Sequence, residues 1–143
     1  DGVGYVGDMD RSVTAFNLES GETIWNYQQK SFPYFSSPAL SNKHLFIGGR
    51  DKGMHSIDRI SGKQVWRFSA RGRIDSSPVV TKEKVVFGSM DGKLYLVSRK
   101  DGREIVSYEI GEPISSTPAI VGSKIIVGCE DGNVYAFETK GKK

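Results

Sequence analysis

The sequence repeats itself with a period of forty residues. Residues 36–40 read Ser-Ser-Pro-Ala-Leu, and the same positions one and two periods later read Ser-Ser-Pro-Val-Val (76–80) and Ser-Thr-Pro-Ala-Ile (116–120). Three glycines keep the same step, namely Gly48, Gly88 and Gly128. A period of about 40 to 45 residues is typical of propellers and other arrays whose units cover one another's apolar faces. The repeat therefore predicts a scaffold whose functional residues lie on its loops.

Each complete unit contains four short apolar runs separated by turn residues. In the second unit these runs cover residues 37–40, 44–48, 54–58 and 64–68. Runs of about five residues that end at Gly, Asn, Asp or Ser are typical of β-strands joined by tight turns rather than of helices. Four antiparallel strands in about forty residues make one propeller blade. The pattern therefore predicts consecutive four-stranded blades.

The units predict one all-β segment over residues 1–143, a β-propeller of four-stranded antiparallel blades with about three and a half blades present. Complete units run over about 35–74 and 75–114, and partial units over about 3–34 and 115–143. Closed propellers have roughly four to eight blades, and uncovered strand edges invite pairing with another chain. We therefore expect either the remaining blades of a longer ring or self-association.

Composition narrows the partner classes. The chain has 20 basic and 17 acidic residues, and this net charge of +3 gives little support to nucleic-acid binding, which we do not expect. No run of about 18 apolar residues occurs, so no membrane span is predicted in this segment. A single cysteine, Cys129, excludes an intrachain disulfide.

A motif recurs at the last turn of each unit. Residues 15–25 (Ala-Phe-Asn-Leu-Glu-Ser-Gly-Glu-Thr-Ile-Trp) align with residues 56–66 (Ser-Ile-Asp-Arg-Ile-Ser-Gly-Lys-Gln-Val-Trp). This pattern resembles the tryptophan-docking motif of the pyrroloquinoline-quinone-like (PQQ-like) β-propeller repeat family. The preceding Val-x-Val-Gly-Ser-x-Asp-Gly-x-Leu-Tyr-Ala pattern of that family is similar to residues 86–96 and 126–136. The resemblance covers essentially the whole chain, and the signature of the rival WD-repeat propellers is absent.

The motif also has a physical explanation. A Gly allows a tight reversal, and a Trp four residues later can bury its ring against the neighbouring blade. Val106 stands where the third unit should have its Trp, so docking is predicted to be weaker there. The predicted structural docking residues are Trp25, Trp66, Gly21, Gly62 and Gly102.

The family resemblance raises the question of a quinone cofactor. Quinoprotein dehydrogenases resemble this chain in their blades, but they carry adjacent cysteines and a calcium site with a catalytic Asp. Here Cys129 is followed by Glu130, and the turn aspartates of successive units are expected to bond their own backbone. We expect no catalytic residues, no cofactor-binding or metal-binding residues and no bound quinone or calcium. The aspartates are Asp10, Asp51, Asp91 and Asp131.

Two functions remain open. The first is a non-catalytic β-propeller scaffold that mediates protein–protein or ligand binding, and we expect a protein partner. The alternative is the propeller portion of a PQQ-dependent quinoprotein dehydrogenase. The missing cysteine pair favours the scaffold. The resemblance also implies an extracytoplasmic location, periplasmic or at the cell surface.

The turns between second and third strands, and the links between blades, should emerge on one face. Aromatic side chains and arginines are enriched in interface cores, so this face is predicted to bind a partly acidic partner. The alternative is a structural role, in which the aromatic side chains cover blade edges and the cations are solvated. The residues predicted for this face are Tyr34, Phe35, Arg50, Lys52, Arg71 and Arg73, beside Phe32 and Pro33.

Overall fold

The computed structural model describes residues 2–28 and 31–138, and this part of the chain consists of β-strands, turns and loops without a helix. Most strands are five or six residues long, as the apolar runs predict. The strands are β1 (Val3–Gly7), β2 (Ser12–Asn17), β3 (Thr23–Gln28), β4 (Ala39–Leu40), β5 (His44–Gly48), β6 (Gly53–Asp58), β7 (Gln64–Ser69), β8 (Val79–Val80), β9 (Lys84–Gly88), β10 (Lys93–Ser98), β11 (Glu104–Glu109), β12 (Ala119–Val121), β13 (Lys124–Gly128) and β14 (Val134–Glu138).

The described strands form four sheets of three, four, four and three strands, and each sheet keeps the chain order. Every pairing within them is antiparallel. This arrangement confirms the prediction of an all-β propeller segment with about three and a half blades. We number the sheets as blades 1 to 4 in chain order.

The apolar core lies between the blades. Successive strand residues point to opposite sides of a sheet, so blades 2 and 3 each contribute to two clusters. In blade 2, Leu45 and Ile47 pack against blade 1, whereas Phe46 and Met54 pack against blade 3. A third cluster joins blades 3 and 4. A single blade therefore has no core of its own.

The repeated Ser and Gly residues have a structural cause. The Ser36 hydroxyl accepts a hydrogen bond from the Gly48 amide at 2.8 Å and donates one to the Gly48 carbonyl at 3.0 Å. Ser76 accepts from the Gly88 amide at 3.1 Å in the same way. A Cβ on Gly48 would overlap the side chain of Ile74, which lies in the link that leads to blade 3. These serines therefore attach the link that precedes each blade to β5 or β9 of that blade. The glycines leave room for the link to the next blade.

Each described Trp docks on the following blade. The Trp25 indole lies against Gly62, and its N–H donates to the Arg59 carbonyl at 3.0 Å. Forty-one residues later, Trp66 lies against Gly102 and donates to the Arg99 carbonyl at 3.1 Å. A Cβ on Gly102 would come within 2.5 Å of the Trp66 ring. The ring therefore fills the space that the missing side chain leaves.

The turn aspartates of blades 2 to 4 hold their own turns. Asp51, Asp91 and Asp131 accept backbone hydrogen bonds from the residue two positions later, at 3.0, 3.1 and 2.9 Å. In blades 3 and 4 the same carboxylates also accept from Tyr95 and Tyr135, each four residues after its aspartate. In these blades the recurring Asp is thus a turn residue.

Blade 2 replaces that tyrosine by a buried histidine. His55 Nε2 lies 3.1 Å from Asp51 Oδ1, and its Nδ1 lies 3.0 Å from the hydroxyl of Tyr27 in blade 1. Arg67 Nη2 donates to Asp51 Oδ2 at 3.0 Å. Burial alone would raise the pKa of Asp51, but the hydrogen bond from His55 and the charges of His55 and Arg67 lower it to about 2. The ionised carboxylate is therefore part of a network that joins two blades.

Gly102→Ala and Gly21→Ala form a matched pair that isolates the docking contact. Both glycines have positive φ, at +72° and +74°, but a Cβ on Gly21 meets no described atom within 4 Å. We expect Gly21→Ala to lower the free energy of unfolding by about 1 kcal/mol through backbone strain alone. Gly102→Ala should cost about 1 to 3 kcal/mol more because the Trp66 ring must move. Urea denaturation measures both, and equal losses would contradict the docking contact.

Asp51→Asn tests the network through its pH dependence. Since the folded-state pKa of Asp51 lies below the ordinary value of 3.8, its stabilisation is present above that value and is lost as pH falls toward 2. We expect the variant to be less stable than the wild-type protein at pH 7 by on the order of 2 kcal/mol. Urea denaturation between about pH 7 and pH 3 should show this difference shrinking. A constant difference, or the same behaviour in the exposed control Glu112→Gln, would disprove the assignment.

Candidate functional site

The strand register defines two faces of the blades. In blade 2, Gly53 pairs with Ser69 at one edge, and His44 pairs with Asp58 at the other. Turn 49–52 and link 70–78 therefore lie on one face, whereas turns 41–43 and 59–63 lie on the opposite face. We call the first the link face and the second the hairpin face, and we use these names for the equivalent loops of every blade.

An arginine–aromatic stack stands on the link face. The guanidinium carbon of Arg50 lies 3.5 Å from the ring centroid of Phe35. Arg50 also makes a two-pronged contact with Asp75, from Nε to Oδ1 and from Nη2 to Oδ2, each at 3.0 Å. Arg73 Nε donates to Asp75 Oδ2 at 3.2 Å. One carboxylate therefore orients two guanidinium groups, and both retain exposed surface.

The remaining predicted cations lie on loops of the same face. Lys52 is exposed at the tip of turn 49–52, where its φ is +66°. Arg71 is exposed in the next link, and its backbone N–H donates to Asp91 Oδ2 at 2.9 Å. This hydrogen bond attaches the link to the adjacent turn of blade 3. The structure thus brings Phe35, Arg50 and Arg73 into one contact group and leaves the other two cations beside it.

Tyr34 does not belong to this surface. Its side chain is only 3% exposed and packs edge-on to His55, with ring centroids 5.6 Å apart. Burial raises the pKa of the Tyr34 hydroxyl, which has no hydrogen-bond partner among the described residues. Phe35 (43% exposed) and Phe32 (48% exposed) instead supply the aromatic surface. Tyr34 is therefore removed from the predicted binding face, and the other predicted residues remain.

Asp75 is the residue of this group that sequence reasoning missed. It occupies the position directly before the repeated Ser-Ser-Pro, where the neighbouring units have Phe35 and Ser115. A charged residue at one position of an otherwise uniform repeat was the available signal. Its partner Arg50 lies 25 residues earlier, so the pairing depends on how the two blades sit together.

The other reactive residue types serve the scaffold. Cys129 is half-buried, and its Sγ contacts the backbone carbonyls of Glu112 and Pro113 at 3.4 and 3.5 Å. His44 lies on β5 with its ring edge-on to Phe46. Over residues 2–28 and 31–138, no group of three or more His, Cys, Asp and Glu side chains is arranged to hold a metal ion. In the same residues, no helix is long and apolar enough to cross a membrane.

Solved structures share this fold. The crystal structure of BamB from Moraxella catarrhalis matches with a TM-score of 0.84 at 18% identity, over 96% of this chain and 43% of that one. Two computationally designed proteins, Ika4 and Ika8, match with TM-scores of 0.83 and 0.84 at 13% identity. This chain covers 86% of the Ika4 chain and 43% of the Ika8 chain. At these identities the likeness shows the fold alone.

Sequence comparison identifies the family. The outer membrane protein assembly factor BamB of Taylorella asinigenitalis (strain MCE3) is 32% identical over 65 residues, which are 46% of this chain and 17% of that protein. The chain thus covers less than half the length of the BamB proteins that it matches. Residues 9–143 match the family model described as outer membrane protein assembly factor BamB. The predicted PQQ-like repeat is confirmed, and the chain belongs to the BamB family of β-propellers.

Proposed function

We propose that this chain is a non-catalytic propeller scaffold that binds a protein partner through its link face. The observation that carries the proposal is the Arg50 guanidinium, stacked on Phe35 and oriented by Asp75. An arginine held in place loses little side-chain entropy on binding, and arginine and aromatic residues dominate interface energetics. The family match gives no support to the quinoprotein dehydrogenase alternative. The proposed scaffold requires no cofactor.

The charge of the patch around Arg50 indicates the kind of partner. Arg71 and Lys52 flank the contact group, and both are exposed. Asp75 is engaged by two arginines, so it offsets only part of their positive charge. The link face also carries acidic residues in the loops of the other blades, namely Asp8, Asp10, Asp91, Glu112, Glu130 and Asp131. The basic patch around Arg50 therefore fits an acidic patch on a protein surface and accelerates its approach, with a rate that falls as salt rises.

The family suggests the setting of this interaction. The chain's relatives are named outer membrane protein assembly factors. We propose that the chain contributes to outer membrane protein assembly from an extracytoplasmic location. Because it spans 43% of the Moraxella catarrhalis BamB chain, we also propose that its open ends are covered by further blades or by a second copy. Exposed apolar residues on the end blades, such as Leu18 and Val134, are consistent with such covering.

The double variant Lys52→Glu with Arg71→Glu tests the link face. Both side chains are exposed loop residues, so the fold should be retained, as a circular dichroism melt would show. We expect the affinity for the partner, once it has been retrieved by cross-linking from an envelope extract and purified, to fall at least about tenfold. The salt dependence of the association rate should weaken as well.

Lys63→Glu is the control, because it reverses an exposed charge on the hairpin face. It should leave both the affinity and the salt dependence unchanged. If the double variant binds as the wild-type protein does, or if Lys63→Glu weakens binding equally, the link face is not the binding site.

A further inference from the structure

Blade 3 lacks two aromatic rings that fill the same layer in blades 1 and 2. The register aligns Phe46, Ser56 and Trp66 across blade 2, and the two rings pack with centroids 5.7 Å apart. Blade 1 has the equivalent row Tyr5, Ala15 and Trp25, with ring centroids 5.8 Å apart. The row of blade 3 is Val86, Leu96 and Val106.

An apolar slot opens beside Val86, where one of these rings is missing. A cavity of about 240 Å³ lies between blades 3 and 4, with Val86 and Leu96 on one wall and Ile120 and Ile125 on the other. Val86 and Leu96 are each 1% exposed, so the slot reaches down to the core. An apolar cavity of about 150 Å³ already accepts benzene. The slot is therefore large enough for one aromatic or branched aliphatic side chain.

The mouth of the slot lies on the hairpin face and is basic. Residues 81–84 form its rim and include Lys82 and Lys84. The same turn borders a wider groove of about 780 Å³ between blades 2 and 3, which also contains Lys43 and Lys100. Glu83 is the acidic residue that lines these two cavities. An elongated basic groove thus leads to the apolar slot.

We propose that this surface binds an extended acidic segment of a protein partner, which inserts one aromatic or branched apolar side chain into the slot. Basic side chains from three turns, 41–43, 81–83 and 98–100, would face the acidic residues on the way to the anchor. An extended peptide can place several acidic side chains along a groove whose basic residues lie on three turns. A lipid would present one headgroup and a long acyl chain. The site lies on the face opposite the link face and is independent of the function proposed above.

Two labelled peptides test the proposal. The probes are fluorescein-labelled Ac-Asp-Glu-Phe-Glu-Asp-NH2 and its Ala analogue in place of Phe, titrated with the whole chain and followed by fluorescence anisotropy. Burial of the Phe ring should make the first peptide bind about 10- to 100-fold more tightly than the second. Lys82→Glu should weaken both peptides, and Lys63→Glu, an exposed residue that lines neither cavity, should weaken neither.

Val86→Phe provides the sharpest variant because it restores the ring that blade 2 has at the equivalent position. It should abolish the preference for the Phe peptide by filling the slot. Ile120→Phe fills the slot from the opposite wall and gives the same test if Val86→Phe fails to fold. Equal binding of both peptides by the wild-type protein would overturn the proposal, as would retained preference in a folded filling variant. Binding to phosphatidylglycerol vesicles that the filling variants abolish, without any peptide preference, would also overturn it and assign the slot to a lipid.

Discussion

The contact between an indole ring and the glycine of the next blade is the interaction on which the rest of the structure depends. A blade has apolar side chains on both of its faces, and it can bury them only against its neighbours. Trp25 and Trp66 each cover the last turn of the next blade and donate a hydrogen bond to its backbone, at Arg59 and at Arg99. The rings thereby hold blade 1 against blade 2 and blade 2 against blade 3, and Gly48 and Gly88 leave room for the links that pass them. The junction between blades 3 and 4 is packed without an indole, because Val106 stands at that position.

The common frame leaves a few positions at which one blade differs from the others. Blade 2 has His55 where blades 3 and 4 have tyrosines. Link 70–78 carries Asp75 directly before its repeated serines, and blade 3 has valines in place of two rings. Each departure changes the chemistry of one junction and leaves the others intact. In a repeat protein such departures are therefore the positions at which specific binding is best sought.

The sequence predicted the frame better than the surface. The forty-residue period predicted the strands, the sheet order and the number of blades, because these depend on local turns and alternating side chains. It could not decide between Tyr34 and Phe35, since neighbouring residues of an irregular link carry no alternation that shows which one points inward. Arg50 and Asp75 belong to different blades, so their contact appears only after the blades are packed. The slot needed the same information, because Val86 and Leu96 become neighbours on one wall of the cavity only through the cross-strand register.

The uneven filling of the blade junctions has a consequence for cooperativity. In an array with nearest-neighbour contacts, the stability of the whole is a sum of unit and junction energies. The junction between blades 2 and 3 contains the Phe46–Trp66 pair, whereas the junction between blades 3 and 4 has aliphatic side chains in that layer. The junction between blades 3 and 4 is therefore expected to open before the junction between blades 2 and 3. Hydrogen exchange would then be faster in the strands beside the aliphatic layer than in those beside the aromatic one.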